Sequence, residues 1–145
     1  MRYAFIIKGN HQKKDGNPLP KLKMTGKQTW TEKAQNYALW KEHVVAMFLD
    51  GLKGNQHAQR LASMNIAQTG KPIVLKEGEM AKMKLLIVWN RENHGDPENI
   101  FGSIADALFH NDKHLDGEFC ARHFKDMKIS KGMVHVDIVI TKPIL

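Results

Sequence analysis

The stretch Lys82-Met83-Lys84-Leu85-Leu86-Ile87-Val88-Trp89-Asn90, followed after a short gap by Asp96-Pro97-Glu98-Asn99-Ile100-Phe101-Gly102-Ser103-Ile104-Ala105-Asp106-Ala107-Leu108, decides the fold. The first part alternates and then saturates with apolar residues, which suits a strand inside a sheet. The second opens as a helix. Asp96 is a preferred N-cap, Pro97 suits the first helical position, and Glu98 in the first turn complements the helix dipole. Its apolar face is Ile100, Phe101, Ile104, Ala105 and Leu108, opposite Asn99, Ser103 and Asp106. A one-sided helix leaving a central strand must lie on the sheet that strand belongs to.

Working outward, residues 2–8 read as a strand with aromatic and β-branched content. Residues 9–30 hold Gly9, Gly16, Pro18, Pro20 and Gly26 among lysines and predict an exposed loop. Thr31 with Glu32 opens a helix to about Leu52, because Ala34, Tyr37, Ala38, Val44, Val45, Phe48 and Leu52 follow a three-to-four spacing, and Gly51 and Gly54 end it. Residues 55–80 carry the weakest pattern, with a short helix at Gln59–Met64 and a short strand at Pro72–Leu75. Two further strands are expected, one within 114–125 and one at Met133–Ile140, with Gly132 marking the turn between them. The order βαβαββ predicts a single α+β domain over residues 1–145, a mixed sheet with two main helices. A chain of 145 residues is long enough to bury a core of its own.

Charge divides the chain. Residues 1–60 hold 11 basic and 4 acidic side chains, a balance of +7, whereas residues 61–145 hold 11 of each. Within the neutral part, residues 91–120 have two basic and seven acidic side chains, a balance of −5. A basic front beside a local acidic segment is what a polyanion-binding surface next to metal ligands looks like, although ordinary surface charge has the same appearance. Lys8, Lys13, Lys14, Lys21, Lys23 and Lys27 lie on or beside the loop 9–30, whose one acid is Asp15. On charge alone such a loop reads equally as a solvated, flexible segment or as a polyanion-binding one, which would grip DNA through phosphates with strong salt dependence and no base readout.

Asp96 and Glu98 admit two readings on spacing alone: a well-capped helix, or two ligands of a hard divalent cation. The second needs a further carboxylate, because Mg²⁺ takes oxygen ligands in an octahedron. Asp112 and Asp116, just after the helix, are the candidates. A helix over 97–108 is ~18 Å long at 1.5 Å per residue. The four residues from Leu108 to Asp112 reach at most ~14 Å. Asp112 then falls short of the helix start, while eight residues would let Asp116 return. Either the helix is shorter, or a partner subunit supplies the acid, or Asp116 is the third ligand.

The run Gly95-Asp96-Pro97-Glu98-Asn99-Ile100, then Asp106-Ala107-Leu108, then Asn111-Asp112-Lys113-His114-Leu115, resembles the RusA family of Holliday junction resolvases. Lys21-Leu22-Lys23-Met24-Thr25-Gly26-Lys27, with Trp30-Thr31 and Tyr37, is similar to that family's basic loop and first helix, and Ser130-Lys131-Gly132 before Val134–Ile140 to its last turn and strand. The likeness covers most of the chain and is weakest over 55–80. It implies a divergent, phage-type member: a cytoplasmic, homodimeric, Mg²⁺-dependent (or Mn²⁺-dependent) endodeoxyribonuclease of DNA recombination and repair, cutting four-way junctions by paired symmetric nicks. The residues it implies for metal and catalysis are Asp96, Glu98 and Asp112, in the acidic segment 95–118; Lys8, Lys13, Lys14, Lys21, Lys23 and Lys27 would contact DNA. The chain departs from the pattern twice. Glu98 stands where the family usually has Asp, and Gly102 where it often has Lys; Lys113, Lys82 and Lys84 are the candidates to replace that lysine. These departures frame the alternative, a branched-DNA-binding protein of the same fold whose catalytic set has decayed. A basic RNA-binding domain is a third option.

The remaining signals are smaller. His110 and His114 are four apart, but no further His or Cys sits at zinc-ligand spacing. His94 precedes the acidic pair and reads as a surface residue. One cysteine, Cys120, excludes an internal disulfide and reads as a buried small hydrophobe in a strand. Met24, Met80, Met83 and Met133 read as apolar filling, and Trp30 and Phe5 as packing residues. No phosphate-binding glycine loop or dinucleotide fingerprint occurs, so no small organic cofactor is expected. No apolar run has membrane-spanning length, and the residues after Met1 are too short an apolar stretch for a secretory signal.

Overall fold

A computed structural model describes residues 1–9, 17–21, 31–89, 96–123 and 132–142. The elements are β1 (Arg2–Lys8), α1 (Glu32–Gly51), α2 (Gln56–Thr69), β2 (Met80–Trp89), α3 (Pro97–Leu108), β3 (Leu115–His123) and β4 (Met133–Thr141). The strands form one mixed sheet in the order β1-β4-β2-β3, with β4 antiparallel to both neighbours and β3 parallel to β2. The α+β class is therefore as expected, with three helices among the described residues, the two main ones and α2. Among the described residues no helix is long and apolar enough to cross a membrane.

The register explains why one face of the sheet is buried. Phe5 pairs with Val136, which pairs with Leu85, and Ile7 with Val134, which pairs with Ile87. All are buried, together with Tyr3, Met83 and Ile138. Helices α1 and α3 cover this face. Phe48 of α1 meets the rings of Tyr3 and Phe5 edge-on, at centroid distances of 5.1 and 5.4 Å. The residues between them, among them Arg2, Lys82, Lys84, His135, Asp116, Glu118 and Cys120, are exposed on the opposite face.

Helix α1 begins where the sequence indicates: the Thr31 hydroxyl accepts from the Ala34 N–H at 3.2 Å. Helix α2 is longer than Gln59–Met64. Only Ala58 and Ala62 of it are buried, so it has no broad apolar stripe to read. Its ends carry it: Asn55 caps the Ala58 N–H at 3.1 Å, and Gly70 closes it at φ 81°. Residues 72–75 form a single bridge, Ile73 with Phe109, in place of the expected strand. Gly132 separates strands that do not pair with each other, since β4 lies between β1 and β2. Its own role is close approach: a side chain there would overlap Asn17, which is 4% exposed, and stand 3.2 Å from the Val88 carbonyl oxygen.

Cys120 is exposed, which corrects the expectation of a buried hydrophobe. Strand β3 forms the edge of the sheet, and the register pairs Cys120 with Leu86 on the uncovered face. Met80 is likewise half-exposed rather than core, whereas Met83 is fully buried.

Candidate functional site

Helix α3 carries a different set of side chains at each end, and the two ends do different things. At its C-terminal end, Asp106 accepts a hydrogen bond from the Tyr37 hydroxyl at 2.8 Å and an ion pair from the Lys41 ammonium at 3.4 Å. The Lys71 ammonium donates to the Asp106 carbonyl at 2.5 Å. The aspartate of the Asp-Ala-Leu run thus fastens α3 to α1. Partial burial pushes the Asp106 carboxyl up, but the Tyr37 hydroxyl and the Lys41 and Lys71 charges outweigh it, and its pKa lies below the ordinary value. A carboxyl depressed on folding adds stability above its unfolded pKa of about 3.9, and that stability is lost as pH falls through the lower folded value. Asp106→Asn is expected to lose about 1 kcal/mol at pH 7, the half-exposed pair being screened by solvent. The difference from wild type should vanish in urea titrations near the acid limit of the folded state.

At the N-terminal end, Asp96 caps α3: its carboxylate accepts from the Glu98 N–H at 2.9 Å, and Pro97 occupies the first helical position. Asp96 and Glu98 are both exposed. Along the helix face that follows lies a cavity of about 300 Å³, walled by Lys21, Glu98, Asn99, Phe101, Gly102, Ala105, Asp112 and Leu115. Glu98, Gly102 and Ala105 fall on one stripe of α3, as residues four and three apart do. The Phe101 ring rests against Gly117 of β3, where any side chain would overlap it, and stands 6.0 Å from the Phe119 ring.

The helix spans the whole of 97–108, and yet Asp112 shares this cavity with Glu98. Chain reach explains both facts. The cavity extends from the first turn to Ala105, so Asp112 needs to return only partway along the helix. The turn that brings it back is closed by the Leu115 N–H donating to the Asp112 carbonyl at 3.0 Å. Asp96, at the extreme start, is not among the walls. Asp116 is on the other side of the sheet: it pairs in register with Lys82 and faces away from α3. Among the described residues no three of His, Cys, Asp and Glu converge closely enough to hold a metal ion. His110 and His114 are exposed.

The lysines expected to replace the one missing at Gly102 are elsewhere. Lys82 and Lys84 pair with Glu118 on the uncovered sheet face, at 2.6 and 3.9 Å, and Lys82 with its neighbours holds the Glu118 carboxyl below its ordinary pKa. Lys113 is not a wall of the cavity. Among the described residues, the base that does line it is Lys21. Of the six lysines expected to contact DNA, Lys8 ends β1 among the residues of the open face, and Lys21 lies on the α3 side; Lys13, Lys14, Lys23 and Lys27 fall outside the described residues, as do His94, Trp30 and Met24. The Lys8 carbonyl accepts from His43 Nε2 at 2.9 Å.

No family model matches the chain, and no curated protein matches it.

Proposed function

We propose that this protein is a structure-specific, divalent-metal-dependent endodeoxyribonuclease that cuts four-way DNA junctions. The observation that carries the reading is one cavity whose lining residues include two acids, Glu98 and Asp112, and one base, Lys21. The likeness of residues 95–115 to the RusA resolvases supports the same reading, as does the basic balance of residues 1–60.

The donor set suits Mg²⁺ or Mn²⁺. Both carboxylates offer hard oxygen atoms, and Mg²⁺ is commonly held by one or two carboxylates together with waters and substrate phosphate oxygens. Glu98 and Asp112 would hold the ion; Asp96, the third acid of the resemblance, fixes through its cap bond the backbone from which Glu98 projects. When bound, the ion supplies Lewis-acid polarisation of the phosphate and favours ionisation of an attacking water. In the hydrolysis the water oxygen bonds to phosphorus, the bond from phosphorus to the leaving sugar oxygen breaks, and that oxygen takes up a proton. Glu98 and Asp112 are exposed and so reachable by a DNA backbone. Two such sites in a homodimer would match the two-fold symmetry of a junction and give paired nicks. A role in DNA recombination and repair, in a phage or on a cellular chromosome, follows from the same resemblance, and a cytoplasmic location is the default for a chain with one cysteine.

The test is cleavage of a synthetic four-way junction by purified protein in Mg²⁺ or Mn²⁺, beside a linear duplex of the same sequence. Paired nicks confined to the junction are expected, with no cutting in EDTA. Salt-sensitive junction binding without cutting in either metal would leave the non-catalytic branched-DNA binder, and equal competition by duplex RNA would favour an RNA-binding domain.

A further inference from the structure

We propose that Lys21 is a catalytic residue of the α3 cavity, its ammonium contacting the phosphate that is cut; the proposal rests on the endonuclease reading. Three observations carry it. The Lys21 backbone N–H donates to the Asn99 carbonyl at 2.9 Å, which ties this loop residue to the first turns of α3. Its stem then lies across Gly102: a methyl group on that glycine would stand 3.3 Å from Lys21 Cδ and 3.5 Å from Lys21 Cβ. And Lys21 lines the cavity together with Glu98 and Asp112.

The glycine therefore has a positive use. It leaves a trough on the helix surface in which an aliphatic stem from another segment can lie, with its charged end free to reach polar groups. Two carboxylates repel a phosphodiester, which is itself an anion and gathers further charge as water attacks. A cation fixed beside them before the substrate arrives lowers that barrier without reorganising, and groups of this kind are worth about 10²–10³-fold in rate. Lys82, Lys84 and Lys113 do not line the cavity, and among the described residues Lys21 is the base that does.

Stem and charge can be separated. Lys21→Met keeps the packing on Gly102 and removes the ammonium. It is expected to cut junctions about 100-fold more slowly at saturating DNA. In EDTA, its junction affinity should fall less steeply with salt, the log–log slope shrinking by about 0.9, the share of one phosphate contact. A second variant restores the charge from the helix itself. In Lys21→Ala the nearest remaining Lys21 atom to a new Cβ at position 102 is its own Cβ, at an ordinary contact distance of 3.5 Å. Adding Gly102→Lys to Lys21→Ala should recover at least tenfold of the lost rate. Wild-type cutting by Lys21→Met would overturn the role of Lys21 and leave the endonuclease reading standing. If the wild-type protein cuts nothing, the endonuclease reading fails and takes the catalytic role of Lys21 with it, whatever the salt slope of Lys21→Met.

Discussion

Asp112→Asn is expected to slow junction cleavage about a thousandfold while binding the junction at least as well as wild type. Asn keeps the shape of Asp and one oxygen, but it removes the negative charge that a divalent cation needs. Lewis-acid stabilisation of a phosphoryl transition state is worth several kcal/mol, and ~4 kcal/mol corresponds to a factor of about 10³. Binding should hold or tighten, because one of the two acids of the proposed site loses its charge. The fold should not suffer: Asp112 is exposed, and the bond that closes its turn uses its backbone carbonyl rather than its carboxylate. An exposed substitution of this kind stays within about 0.5 kcal/mol. Asp116→Asn is the matched control. It sits on the far face of the sheet opposite Lys82 and should cut within about twofold of wild type. Wild-type rates in Asp112→Asn, or a large loss in Asp116→Asn, would reverse the assignment of the ligand.

The largest stability effect is expected at Trp40. The side chain is 1% exposed, between α1 and α3, and its indole N–H donates to the Ser103 hydroxyl at 3.1 Å. Ser103 in turn donates to the Ile100 carbonyl at 2.9 Å. Trp40→Ala removes the ring, opens a cavity and leaves the Ser103 oxygen without that donor inside the core. Truncations of this class cost about 3–5 kcal/mol, against a total of about 5–15 kcal/mol for a domain. With a urea dependence of about 2 kcal/mol per molar, the midpoint should fall by about 2 M. Trp40→Phe separates the terms, since it keeps most of the apolar contact and loses the indole N–H. A midpoint shift below about 0.5 M for Trp40→Ala would contradict the packing described. The consequence reaches the site, because α3 carries Glu98 and is held to α1 through Ser103 and Asp106.

How much of this was legible in the residues depended on what each element used to declare itself. Strands β1 and β4 and helices α1 and α3 have one apolar face each, β2 alternates and then saturates, and periodicity and caps locate all five to within a residue or two. Helix α2 buries two alanines and is defined by Asn55 and Gly70, so it left almost no pattern. Cys120 looked like core because a strand within 114–125 was expected; that β3 is an edge strand with one face uncovered is a property of sheet order, which local sequence does not carry. The site divides the same way. The Asp96 cap and Glu98 were visible as a motif. That Asp112 and not Asp116 shares the α3 cavity with Glu98 depends on the return path of the chain and the alternation of β3. Lys21 was visible only as one lysine of six. What sets it apart is a backbone bond to Asn99 and a glycine trough 81 residues further on, both long-range relations.

The central claim is that Glu98 and Asp112 together hold a divalent cation, and locating that cation tests it most directly. Crystals of the protein grown with Mn²⁺ would show it by anomalous scattering. The expected result is a peak in the α3 cavity within coordination distance of both carboxylates, and no peak there in Asp112→Asn. A peak elsewhere on the molecule, or none at saturating Mn²⁺, would contradict the account.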